Sequence, residues 1–204
     1  MKRILTALVA TTIAAGALPA LAAFSLNVPL VAAVPASASS IPSGAVAKLD
    51  WNSSQSRSAD EPATATLVND GKYLYVRFDV AQSAPLIGGE GGDNVAVDLW
   101  PNGQNGDQYR LGIAVGGART ADSTANTAGW EASESTRTGG YSVTMKIPMS
   151  VLPNANDVRA QFSRWTVSTA ELQVWAHGGD GTDQTGSLTL GGSVGATTPT
   201  SSQR

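Results

Sequence analysis

A period of two constrains this chain more than any other feature. In "DGKYLYVRFDV", residues 70–80, Leu74, Val76, Phe78 and Val80 share one side of an extended chain. Tyr73, Tyr75, Arg77 and Asp79 share the other. That alternation predicts a β-strand with one buried face, and the "NDG" at 69–71 is a turn signal ahead of it. The pattern recurs. "ATATLV" (63–68) sits one tight turn upstream, so the two segments form a hairpin. "NVAVDLW" (94–100) sets Val95, Val97 and Leu99 against Ala96, Asp98 and Trp100. "QYRLGIAV" (108–115) turns Tyr109, Leu111, Ile113 and Val115 inward, with Gln108 and Arg110 outward. "GGYSVTMKIP" (139–148) groups Tyr141, Val143, Met145 and Ile147, and Pro148, which cannot donate to a ladder, ends it. "VRAQFSRWTV" (158–167), "AELQVWA" (170–176) and "GSLTLGG" follow, while "MSVLP" reads as a short helical turn.

No segment sustains a helical period. Seven or eight short strands between Gly-rich turns predict an all-β fold, a single antiparallel sandwich over residues 45–192. A core of that size is stable without cross-links. Residues 23–44, rich in Ala, Pro and Ser, read as a linker, and 193–204, "SVGATTPTSSQR", which has no apolar period, as a disordered tail. The first residues read as an export signal. Lys2 and Arg3 precede the apolar "ILTALVATTIAAGALPALAA", and "ALA" at 20–22 fits a cleavage site. A second candidate, "ASA", lies at 36–38. Pro, Gly and many Ala make the run a poor membrane anchor. The expected location is therefore periplasmic or extracellular, in a bacterium, with no membrane attachment after cleavage.

There is no cysteine, which removes disulfides, a thiol nucleophile and Cys-based zinc sites. Loss of Lys2 and Arg3 with the leader takes the 13 basic side chains to 11 against 16 acidic ones, a net charge of −5. Nucleic acid is thus not an expected partner. The sparse charge and abundant Ser, Thr, Gly and Asn suit an uncharged polar ligand. Catalytic signatures are lacking. A Ser-His-Asp triad would need His177, the one histidine, and no G-x-S-x-G motif presents a serine. Glu131 and Glu134 lie in an irregular stretch, and no carboxylate pair suggests glycoside hydrolysis. No phosphate-binding glycine loop opens a helix. The chain is read as a non-enzyme. Asp180 and Asp183 in "GGDGTDQTG" are oxygen ligands of the type calcium takes, so a structural calcium ion is the one candidate cofactor.

Four pieces, in order, resemble the family 9 carbohydrate-binding modules and their DOMON-like relatives. They are "KLDWN" (48–52), "DGKYLYVRFDV", "GDNVAVDLWPNG" and "GWEAS…GGYSVTMKIPMSVL", spanning about 46–191. The resemblance implies a jelly-roll-like β-sandwich and a non-catalytic, exported, monomeric module. It would bind polysaccharide or oligosaccharide in the breakdown of plant cell-wall polysaccharide. It also implies a site in which two tryptophans clamp a sugar and polar side chains bond its hydroxyls. The clamp loops here, "LIGGEGGD" and "HGGDGTDQTG", hold no aromatic residue. The family's glutamate aligns with Ala96 and its asparagine with Gly112, while its arginine is kept as Arg110. A rebuilt site would use Arg110 with the outward Trp100, Trp175, Asp98 and Gln108. Trp175 is outward if Leu172 and Val174 point inward. In the plainer reading Arg110 pairs with an acid such as Asp98. The missing clamp also supports a second hypothesis, a degenerate sandwich serving as a structural or protein-interaction module at the cell envelope. Some distant relatives bind heme through a methionine, but Met145 alternates with core positions.

Overall fold

The computed structural model describes residues 24–32, 41, 43–51, 62–103, 107–122, 129–152, 158–176 and 184–191. Among them are thirteen strands. In chain order they are β1 (Ser25–Val28), β2 (Ala45–Lys48), β3 (Asp50–Trp51), β4 (Thr64–Asn69), β5 (Tyr73–Ala81), β6 (Asn94–Trp100) and β7 (Tyr109–Ala114). Then come β8 (Arg119–Asp122), β9 (Glu131–Arg137), β10 (Gly140–Pro148), β11 (Val158–Thr166), β12 (Glu171–Val174) and β13 (Gly186–Leu190). One 3-10 turn, Met149–Val151, follows β10 where Pro148 stops the ladder.

The strands form two sheets. The larger runs β1-β13-β11-β6-β7-β8, with β12 beside β11 and β3 beside β12. The smaller runs β2-β4-β5-β10-β9. Pairing is antiparallel except between β1 and β13, where Ser25 to Val28 run parallel to Ser187 to Leu190. The protein is an all-β sandwich. Its core lies where the two inner faces meet: Leu74, Val76, Phe78 and Val80 of β5 and Val143, Met145 and Ile147 of β10 face Val95, Val97 and Leu99 of β6 and Phe162 of β11. Phe78 and Phe162 meet edge to face across the sheets, 6.3 Å between ring centres. In β5 every second residue is buried, as its period of two requires.

The outer side of β5 carries its charges in pairs. Arg77 donates from Nε and Nη2 to the Asp79 carboxylate, both at 2.9 Å, and Arg137 stands 3.6 Å away. The Arg77 hydrogen bonds hold the Asp79 carboxyl below the usual carboxylate range, against the opposing pull of burial. A folded-state value lowered in this way stabilises the fold above the ordinary carboxylate range, and the stabilisation is lost as pH falls through the lowered value. The pair is partly exposed, so its contribution is about 0–1 kcal/mol. Asp79→Asn should therefore lower the melting temperature slightly in the neutral region, leave the acid end of the profile almost unchanged, and so flatten the acid limb. An unaltered acid limb would show that the pair carries no such linkage.

The domain starts earlier than the 45–192 boundary. Part of the expected linker 23–44 is folded: Ser25–Val28 form β1, and Val28 is fully buried in the core. The segment was hidden because a four-residue edge strand is too short to show a period. β9 was missed for the opposite reason. It is polar, "EASESTR", because it is the exposed edge of the smaller sheet. Residues 192–204, with the expected tail, lie outside the described residues, as does the leader 1–22.

Candidate functional site

The outer face of the larger sheet has a polar centre. Cross-strand register puts Asp98 of β6 between Arg110 of β7 and Gln161 of β11. Arg110 donates from Nη1 to Asp98 Oδ2 at 3.0 Å and to Oδ1 at 3.2 Å. Gln108 donates to Oδ1 at 2.8 Å. Gln161, the other neighbour, is itself committed, donating to the Gln184 carbonyl at 3.1 Å. Asp98 points outward as its period demands, yet it is buried, because these long side chains lie over it. The Arg110 side chain remains 44% exposed. Arg110 thus has the plainer role, partner of Asp98, and still presents a guanidinium edge to solvent.

Beside this centre is a hollow of about 320 Å³ lined by Glu90, Gly91, Asn94, Arg110, Ala114, Ala118 and Thr120. That is at the small end for ligand pockets, which run about 300–1,000 Å³. Its small lining residues are Gly91 of the β5–β6 loop, Ala114 of β7, Ala118 of the β7–β8 turn and Thr120 of β8. Gly112 belongs to the same face, and a Cβ there would run into the Thr120 hydroxyl, so no larger residue fits without displacing Thr120. One wall is the Gly-rich loop between β5 and β6. Asp93 fixes that loop. Its carboxylate accepts from Gln82 Nε2 at 2.7 Å, the Ile87 amide at 2.9 Å and the Val167 amide at 2.8 Å. Gln82 in turn accepts from the buried Arg164 at 3.0 Å. Burial pushes the nearby Tyr141 hydroxyl well above the ordinary tyrosine range, with the Arg164 charge opposing it.

The expected site residues separate into four groups. Arg110, Asp98 and Gln108 are brought together. Trp100 is on the same face, half-buried, at the far end of β6 from Asn94 and so on the other side of Asp98 from the hollow. Trp175 is a correction. It is 6% exposed and packs inward, 5.3 Å from the Phe162 ring and 6.1 Å from that of Phe24. The alternation of β12 runs opposite to expectation: Gln173 turns inward because its side chain accepts the buried Ala63 amide at 2.9 Å, and Trp175 follows it. Gly186 fits under the indole, where any Cβ would collide with the ring. Asp180 and Asp183, the candidate calcium ligands, lie outside the described residues. Among the described residues no cluster of three or more His, Asp or Glu side chains could hold a metal ion. Trp51 is buried in β3, Trp130 lies half-buried under the Arg119 guanidinium at 5.3 Å, and Met145 is core. Glu90, Asn94 and Thr120 were not foreseen. The glycines of "LIGGEGGD" marked a loop, but nothing local said that it would stand against β7.

Two solved structures share this arrangement of sheets. The fold is that of the family 9 carbohydrate-binding modules. One is a family 9 module from Caldicellulosiruptor kristjanssonii in complex with cellotriose, 14% identical, with 83% of this chain and 95% of that chain covered and a TM-score of 0.59. The other is a family 9 module from the same organism in complex with glucose, also 14% identical, covering 82% and 97%, with a TM-score of 0.60. At that identity the likeness is one of fold. No family model matches the chain, and no curated protein does. Among the described residues no helix is long and apolar enough to cross a membrane.

Proposed function

We propose that this protein is an exported, non-catalytic carbohydrate-binding module acting on polysaccharide or oligosaccharide in plant cell-wall breakdown. The observation that carries the reading is the half-exposed Arg110, held by the buried Asp98 at the rim of the hollow, on a fold shared with modules solved in complex with sugars. A guanidinium fixed on one edge keeps its remaining N–H donors aimed outward at hydroxyls. Ala114 and Ala118 offer a sugar's C–H face a small apolar patch. Trp100 and Asn94, the ends of β6, are roughly 20 Å apart at the rise of an extended strand. A ligand touching both Trp100 and the hollow is a chain of sugars. Calcium at Asp180 and Asp183 belongs to this proposal as a structural ion.

The test is affinity gel electrophoresis through xylan, cellulose derivatives, β-glucans and mannans, with and without calcium. One of these glycans should retard the protein. Arg110→Ala should abolish the retardation and also cost about 1–3 kcal/mol of stability, because it takes a donor from the buried Asp98 carboxylate, so a melt run beside the gel shows that the variant still folds. Trp100→Ala should weaken it by about 1–3 kcal/mol, the range for removing an aromatic contact. The lining of the hollow holds no aromatic side chain, and this favours the second reading, a structural or protein-interaction module at the cell envelope. Absence of retardation on every glycan would favour that reading and overturn the first.

A further inference from the structure

Residues 24–31 tie the two sheets together. On one side, β1 lies along β13: the Ser187 amide donates to the Phe24 carbonyl at 2.9 Å and the Gly191 amide to the Val28 carbonyl at 2.7 Å. On the other, the segment crosses to β4. The Asn69 amide donates to the Pro29 carbonyl at 3.0 Å, and the Val31 amide to the Asn69 carbonyl at 2.8 Å. The Asn69 side chain is 1% exposed, and its Nδ2 is shared among the carbonyls of Val28, Pro29 and Gly191 at 3.1–3.3 Å. Val28 is fully buried, and Phe24 sets its ring edge against Trp175. Without this strap the β13 edge loses its ladder partners and the Asn69 amide loses two of its three acceptors.

We infer that the processed protein begins at Ala23, cut at the first of the two A-x-A sites, and that residues 24–32 are part of the working domain. This rests on the export reading. A cut at the second site, after Ala38, would remove the whole strap and leave Trp175, Leu188 and Leu190 with part of their cover gone. The first site leaves a single residue ahead of Phe24. The cleavage reaction is hydrolysis of the Ala22–Ala23 peptide bond by a signal peptidase that reads small residues.

The experiment is to express the full chain in an export-competent two-membrane bacterium and determine the amino terminus of the exported protein by intact mass and terminal peptide sequencing. The expected first residue is Ala23. A first residue of Ser39, or any other beyond Phe24, would overturn the inference with export upheld. A chain that keeps residues 1–22 would overturn both. In parallel, Val28→Asp in the full chain should lower the melting temperature by about 10 °C, the shift expected for an unpaired charge in a core of this size. An unchanged melting temperature would show that the strap carries no stability and would also overturn the inference.

Discussion

Asp93→Ala is expected to lose about 4 kcal/mol of stability in urea melts. Asp93 is fully buried, and its carboxylate is the common acceptor for Gln82, the Ile87 amide and the Val167 amide. Its own backbone is used as well: its amide donates to the Ile87 carbonyl and its carbonyl accepts from the Val115 amide, both at 2.8 Å. Alanine would leave three donors without their acceptor, each costing about 1–3 kcal/mol where water cannot enter. It would also release the Gln82 side chain that accepts from the buried Arg164, loosening a second buried contact. Domains are stable by only about 5–15 kcal/mol. Asp93→Asn keeps the volume and one oxygen but turns an NH2 toward a donor, so it should lose about half as much. Equal urea midpoints for the wild-type and Asp93→Ala proteins would refute the account.

Trp175→Ala should cost about 3–5 kcal/mol, the range for deleting a large aromatic side chain from a core. The indole fills the space between Phe24 and Phe162, over a glycine that has no Cβ to collapse into the gap. Trp100→Ala should cost less than about 1 kcal/mol in stability, because that ring is half-exposed. The two variants separate roles that one sequence pattern had joined: one tryptophan loses fold, the other loses ligand. A Trp175→Ala protein with unchanged midpoint and reduced glycan retardation would return Trp175 to the surface.

Much of the fold was legible because alternation is a local property. β5 and β10 show it without interruption, and the hairpin of β4 and β5 follows from the "NDG" turn. Where two chemistries compete within a short strand, the sequence was ambiguous. In β12, "ELQV", either alternating set could face inward. The apolar set Leu172 and Val174 made the stronger local case. The decision came from Ala63, distant in the chain, whose buried amide needed an acceptor and found it in Gln173.

The candidate site was legible in the same partial way. That Arg110, Asp98 and Gln108 share a face follows from the period of β6 and β7 and the turn between them. That Asp98 is buried on the outward face does not follow, since burial depends on what neighbouring strands lay over a position. Register supplied Gln161 on one side and Arg110 on the other. The hollow depends on a loop standing against β7, and Asp93 holds it there through groups from three parts of the chain.

The sequence by itself determined the strand class, the inward sets of β5, β6, β7 and β10, the lack of disulfides and the polar residues that share the outer face of β6 and β7. Each of these depends on a residue and its immediate neighbours, which the period of two orders directly. Only the tertiary structure decided that Trp175 is core, that Asp98 is covered and that residues 24–31 join the sandwich. Those outcomes are set by buried donors and acceptors that must find partners, and the partners lie far away along the chain.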